Sequence, residues 1–151
     1  MSQSMKWFIG IAGVVVLVIA GSLFARSRYV VPILMYHTVY QNAPYSNRLA
    51  VSTETFDKQM AFLKKNHYTV LPLSELVRCL KEKTKLPPKP VVLTFDDGYK
   101  DMYTDVFPIL KKYGFSGTFF IIVQEVGRPQ RDRLTWDQIK EMQASGYAVI
   151  G

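Results

Sequence analysis

The chain has 151 residues, of which 48% are hydrophobic and 21% charged; that is one ordinary domain and too little for two. Formal net charge is +7, but the first 28 residues hold three of the 19 basic residues and none of the 12 acidic ones. The remainder is therefore only mildly basic, which excludes a nucleic-acid footprint, and the single Cys79 excludes an internal disulfide.

The first predicted element is WFIGIAGVVVLVIAGSLFA, Trp7 to Ala25, nineteen residues without a charge. This approaches the roughly 20 apolar residues that cross a bilayer as a helix. Residues 1–28 therefore read as a membrane anchor or signal segment, with the membrane contacted through residues 7–25. A cleaved signal peptide is the competing reading, with Ala20-Gly21-Ser22 as its small-residue site, although such apolar cores usually run only about 7–15 residues. Lys6 on one side is outweighed by Arg26 and Arg28 on the other, which by charge alone favours an inward-facing domain. Very N-terminal apolar segments ahead of a long domain are commonly exported all the same. The expectation is a single-pass protein of the cell membrane with its domain outside.

Residues 29–151 form the second region. Tyr29–Tyr36 reads as a buried strand, and residues 40–52, polar and broken by Pro44, as a loop. Phe56, Met60 and Leu63 recur at helical spacing. Thr69–Leu71 is a short strand, followed by a helix capped by Ser74 and carrying Leu76, Val77 and Leu80. Cys79 within it reads as a buried small residue. Lys85–Pro90, with three prolines, is an extended connector. Val91–Phe95 is a continuous apolar strand, and Tyr103, Val106, Phe107, Leu110 and Tyr113 mark a helix stopped by Gly114. Gly117–Val123 is a second such strand. Thr135 and Gln138 form a capping box for a helix with Ile139 and Met142 inside, ended by Gly146, and Tyr147–Ile150 begins another strand. Phe115, Phe119, Phe120, Trp136 and Met142 fit buried positions better than a sugar-stacking platform. Lysines in KKNHY, RCLKEKTK and LKKYG read as a solvated basic surface, with an anionic polymer or lipid headgroups as the functional alternative.

Continuous apolar strands separated by amphipathic helices indicate an α/β fold with a parallel sheet. About five strands are countable, whereas a closed (β/α) barrel takes about eight. In such folds chemistry sits at the carboxyl ends of strands, where Val91–Phe95 ends on Asp96 and Asp97. Neighbouring side chains on a strand point to opposite faces, so the two carboxylates can share a pocket only if the backbone bends, as Gly98 allows. Two readings remain open from the residues: a plain Asp-Gly turn, or a site in which one acid binds a metal and the other takes a proton.

TFDDGY at Thr94–Tyr99, GTFFI at Gly117–Ile121 and LTWDQIKEMQASGY at Leu134–Tyr147 resemble the polysaccharide deacetylase family, carbohydrate esterase family 4, the NodB-homology domain. VPILMYHTV at Val31–Val39 is similar to the lead-in strand of extracellular members acting on N-acetylglucosamine polymers. The resemblance covers about residues 31–151 and implies an incomplete (β/α)7-type distorted barrel preceded by one transmembrane helix. It implies metal-dependent removal of N-acetyl groups from a cell-wall polysaccharide or exopolysaccharide, with zinc the usual divalent metal. Asp96 would be the catalytic base and Asp97 a metal ligand. The family's H-x-x-x-H metal motif is expected just after ASGYAVIG and does not occur by Gly151, so the resemblance implies a truncated, inactive form. His37 ends the MYH strand near the same rim, and no ligand role is carried onto it; His67 reads as structural. The alternative is a non-catalytic, membrane-anchored module that binds a glycan or a partner.

Overall fold

The computed structural model describes residues 3–27, 30–44, 46–128 and 131–151; Arg28, the last residue expected in the anchor segment, and Tyr29, expected at the start of the first strand, lie outside that set. The chain divides into two compact units, Met1–Val30 and Val31–Gly151.

The first unit is helix α1, Gln3–Ser27. Its stretch Gln3–Ser22 has a mean hydropathy of 2.0 and the length to cross a membrane, a test that a secretory signal passes equally well.

The second unit is built on a five-stranded parallel sheet. Its strands are β1 (Ile33–Tyr36), β4 (Thr69–Leu71), β5 (Pro90–Phe95), β6 (Gly117–Phe119) and β7 (Ala148–Ile150). Strand β5 is central. Val92 pairs with Ile33 of β1 and with Leu71 of β4, and a strand residue has one neighbour on each side, so β1 and β4 flank β5 oppositely. Further along, Thr94 and Phe95 pair with Thr118 and Phe119 of β6. The side held by β4 at the start of β5 thus passes to β6 at its end, and β7 follows β6.

Period-two alternation sorts the side chains of β5. Val91, Leu93 and Phe95 enter the main core. There they meet helix α2 (Thr53–Lys65) through Phe56, Met60 and Leu63, helix α4 (Phe107–Tyr113) through Phe107, Ile109 and Leu110, and helix α5 (Trp136–Ala144) through Ile139 and Met142. Phe95 is the centre of an aromatic stack, 4.7 Å from Phe119 and 5.4 Å from Tyr36 between ring centroids, with Phe56 edge-on at 5.9 Å. No side chain fits at Gly117, where a Cβ would stand 2.5 Å from the Phe95 ring. On the opposite face, Val92 packs with Leu71 and with Leu76 of helix α3 (Leu73–Glu82). Beyond Val92 that face carries Thr94 and then Asp96.

Several elements depart from the sequence expectation. Strand β1 is mostly exposed rather than buried: it lies beside β5 alone among the described strands, and Ile33 and Met35 are 50% and 63% exposed. The stretch expected as a loop over 40–52 holds strand β3 (Ala50–Ser52), which pairs in parallel with β2 (Thr38–Tyr40). Helix α3 begins at Leu73 with Pro72 as its cap residue, so Ser74 lies inside the first turn; the Leu73 N–H donates instead to Thr118 Oγ1 at 3.0 Å. Its buried side is Leu76 and Cys79, leaving Val77 and Leu80 exposed. The helix expected to run to Tyr113 opens with a π-helical turn, Met102–Val106, in which the Phe107 N–H donates to Met102 O. Pro108 has no N–H for the ordinary α bond to Thr104, which accounts for the widened turn. Strand β6 stops at Phe119, four residues short of Val123, because its partner β5 ends at Phe95; one further bond, Phe120 N–H to Phe95 O at 2.8 Å, closes the ladder. Phe120 and Trp136 are exposed, not core. The Thr135 capping box forms as expected, with both reciprocal bonds present.

Candidate functional site

Asp96 continues the Val92–Thr94 face of β5, and its N–H is fixed to Tyr36 O at 2.9 Å. The bend starts one residue before the expected glycine. Asp97 itself is left-handed, φ +73°, and Gly98 follows at +71°. A left-handed Asp is uncommon and strained for a residue with a Cβ, although Asp and Asn tolerate it better than most. Gly98 is required for conformation and for space, since a Cβ there would meet Ile121 Cγ2 at 3.2 Å.

This double turn brings Asp96 and Asp97 to one open recess of about 560 Å³. Its polar lining is Thr94, Asp96 and Asp97; Ile33, Met35, Leu73, Phe120, Ile121 and Ile122 supply an apolar wall. His37 is half-buried in the bend between β1 and β2 and is not among the residues lining the recess. His67 is exposed just beyond α2, with φ +58° and its N–H on Lys64 O. The sequence-derived pair therefore comes together, and neither histidine joins it.

Sequence reasoning missed two residues near the turn, of which one holds it. The Arg133 Nη1 donates to Asp97 O at 2.7 Å, and its guanidinium lies 3.9 Å from the Tyr99 ring centroid. Asp101 is buried and its Oδ2 accepts from the Val39 N–H at 2.8 Å, while Oδ1 has no hydrogen-bond partner among the described residues. Burial pushes its carboxyl up to about 6, against the Val39 hydrogen bond and helped by the charges of Asp105 and Asp132. Asp101 sits five residues after Asp96 in the same loop, and that proximity was the one signal available. Arg133 is 36 residues from Asp97, and nothing local announces a contact at that range.

As to a metal, a carboxylate at an open recess suits a hard or borderline divalent cation. A catalytic zinc site normally takes three protein ligands, and no group of three or more His, Cys, Asp or Glu that could hold an ion occurs among the described residues. The described residues therefore supply part of a ligand set and do not complete one.

Comparison with known proteins gives a consistent picture. Residues 83–151 match the profile of the family described as polysaccharide deacetylase. YxkH of Bacillus subtilis (strain 168) is 39% identical over 118 residues, covering 78% of this chain and 40% of the relative. The poly-beta-1,6-N-acetyl-D-glucosamine N-deacetylase of Staphylococcus aureus (strain N315) is 35% identical over 100 residues, 64% of this chain and 34% of the relative. Among solved structures, the Streptococcus pyogenes deacetylase PplD in complex with acetate superposes with a TM-score of 0.71 at 33% identity, over 80% of this chain and 54% of that one. IcaB from Ammonifex degensii gives 0.65 at 34% identity, over the same shares. The chain thus spans about half, or less, of the length of the proteins it matches.

Proposed function

The chain belongs to the polysaccharide deacetylase family, and on that premise we propose that it carries the Asp-Asp half of a site for removing N-acetyl groups from an N-acetylglucosamine polymer. The observation behind this is the position of Asp96 and Asp97, which both line one recess at the carboxyl end of the central parallel strand. A plain type I′ Asp-Gly turn takes left-handed backbone at both residues as well, so the reading rests on where this turn lies, at the end of the central strand beside the recess.

In this reading Asp96 is the general base. It lies at the end of β5 with its backbone tied to Tyr36, so its carboxylate is held in place to take a proton from an attacking water. Asp97 contributes one ligand to a divalent cation, with zinc as the expected ion. Bound there, such a cation supplies Lewis acidity toward the acetamide carbonyl and acidifies water. Attack on that carbonyl carbon and cleavage of the C–N bond release acetate, and the departing nitrogen takes a proton to leave as the free amine. The apolar wall of Ile33, Met35 and Ile122 suits the methyl of an acetyl group. The substrate is of the poly-N-acetylglucosamine class that the Staphylococcus aureus relative's name specifies, reached from a membrane-tethered position through residues 7–25.

The full-length protein is expected to release acetate from poly-N-acetylglucosamine, chitin oligomers or peptidoglycan. Asp96→Asn should lower kcat by about 10²–10⁴, the range of a lost general base, with bound metal retained. Asp97→Ala should lose the metal itself. Metal analysis beside turnover separates these outcomes, and an Asp96→Asn variant with wild-type kcat would remove Asp96 from the chemistry.

One observation favours a second reading, a non-catalytic glycan- or partner-binding module: the described donors stop short of three. The 151-residue chain by itself is accordingly expected to bind zinc weakly and turn over none of these glycans. Glycan binding by that chain without acetate release would support the module.

A further inference from the structure

We propose that Arg133 is a positioning residue for the carboxylate pair, acting through the backbone of the turn that presents them. This rests on the recess being the site. Asp97 sits in a left-handed conformation that Asp tolerates at some cost, so a contact to the turned peptide favours that conformation over its alternatives. The contact made to the turned peptide is Arg133 Nη1 to Asp97 O, 2.7 Å. Relaxation of φ at Asp97 would swing this carbonyl off the guanidinium and at the same time carry the carboxylate away from Asp96.

The arginine is itself fixed on three sides. Its side chain is only 11% exposed. Its plane rests on Tyr99, which stacks a guanidinium in a way that an ammonium cannot match. Its Nε faces Glu125 Oε2 at 4.0 Å, an ion-pair distance without a hydrogen bond. Around it the chain is laced to the turn: Tyr99 and Arg133 form an antiparallel bridge, the Lys100 N–H donates to Asp132 O at 2.9 Å, and the Leu134 N–H donates to Gly98 O at 3.0 Å. The Leu134 O in turn accepts from the Gly127 N–H at 2.8 Å. Glu125 is shared with Arg128 and Arg131, at 3.2 and 3.3 Å, so Arg133 has Tyr99 as its platform and one hydrogen-bonding task, the Asp97 carbonyl. Its donor goes to a carbonyl, and among the described residues no ion pair links it to the carboxylate of Asp96 or Asp97.

The test uses the full-length protein with Arg133→Met, which keeps the stem and removes the donors, and Arg133→Lys, which restores charge without the planar stack. Zinc affinity is read by competition with a chromophoric chelator, and kcat and KM from acetate release. Hydrogen exchange across residues 94–103 reports the turn. Arg133→Met should weaken zinc about 10- to 100-fold, the usual cost of losing a group that orients a metal ligand, and lower kcat with KM little changed. Arg133→Lys should fall between this and the wild type. Glu125→Gln, a milder loss of the counter-charge, should show the same signature at smaller size and serves if Arg133→Met does not fold. Faster exchange in the turn with unchanged zinc affinity and kcat would reduce Arg133 to a stabilising contact and overturn the proposal. Absence of zinc binding in the wild type would overturn it too. A wild type that binds zinc and releases no acetate, while Arg133→Met still loses affinity, would leave the positioning role standing and defeat the deacetylase reading.

Discussion

Asp101 is the residue where sequence and structure carry different weight. In the sequence it is one more acid in a loop; in the fold it is a buried carboxylate with one oxygen on the Val39 N–H and the other without a partner among the described residues. Burial raises its ordinary value of 3.8 to about 6. The folded state therefore holds this proton more tightly than the unfolded chain. Stability from this group is fullest below about pH 4, falls as pH climbs toward 6, and is flat above. After allowance for solvent screening the swing is on the order of 1–2 kcal/mol. Asp101→Asn keeps an acceptor for Val39 and cannot ionise, so its unfolding midpoint should vary less than the wild type's between pH 4 and 7. Parallel pH profiles for the two proteins would show that Asp101 is not buried as described. Asp96 and Asp97 were legible because strand, acids and glycine are contiguous. The conformation of Asp97 was not: the bend was expected at Gly98, and the hydrogen bond that holds it one residue earlier comes from Arg133, far along the chain.

At the scale of elements, what could be read were those whose signals are local. The helix over Phe56, Met60 and Leu63, the capping box at Thr135 and the stop at Gly114 depend on residues within a turn or two of one another, and all three form. What could not be read were the boundaries set by a neighbour. Strand β6 ends where β5 runs out, and α3 begins before Ser74 because Thr118, 45 residues away, accepts from the Leu73 N–H. That cap is testable. Thr118 is buried, and Thr118→Val preserves its shape while leaving the Leu73 N–H without an acceptor, a loss of about 1–3 kcal/mol. Ser74→Ala should stay within about 0.5 kcal/mol, as an exposed substitution away from any cap. Denaturant midpoints of the two variants decide between them, and a larger loss from Ser74→Ala would return the cap to Ser74.

For the whole molecule, the question is what the exposed apolar surface of the second unit does. Strand β1 presents Ile33 and Met35 to the recess, beside Phe120 and Ile122, and Leu34 to a groove against Phe62 of α2. A strand exposed on both faces, with only β5 beside it among the described strands, is an edge on which other chains can pair. Charged residues are the usual guard on such an edge, and Ile33–Tyr36 has none. Residues 31–151 expressed alone are therefore expected to self-associate at micromolar concentration and to bind an apolar dye. Met35→Lys, which places a charge in the centre of the exposed strand without touching the aromatic core under Phe95, should shift the population toward monomer. Light scattering and sedimentation on the two proteins test this. A monomeric wild-type fragment that unfolds cooperatively would mean that the edge is tolerated as it stands, and it would strengthen the reading of these residues as a self-sufficient binding module.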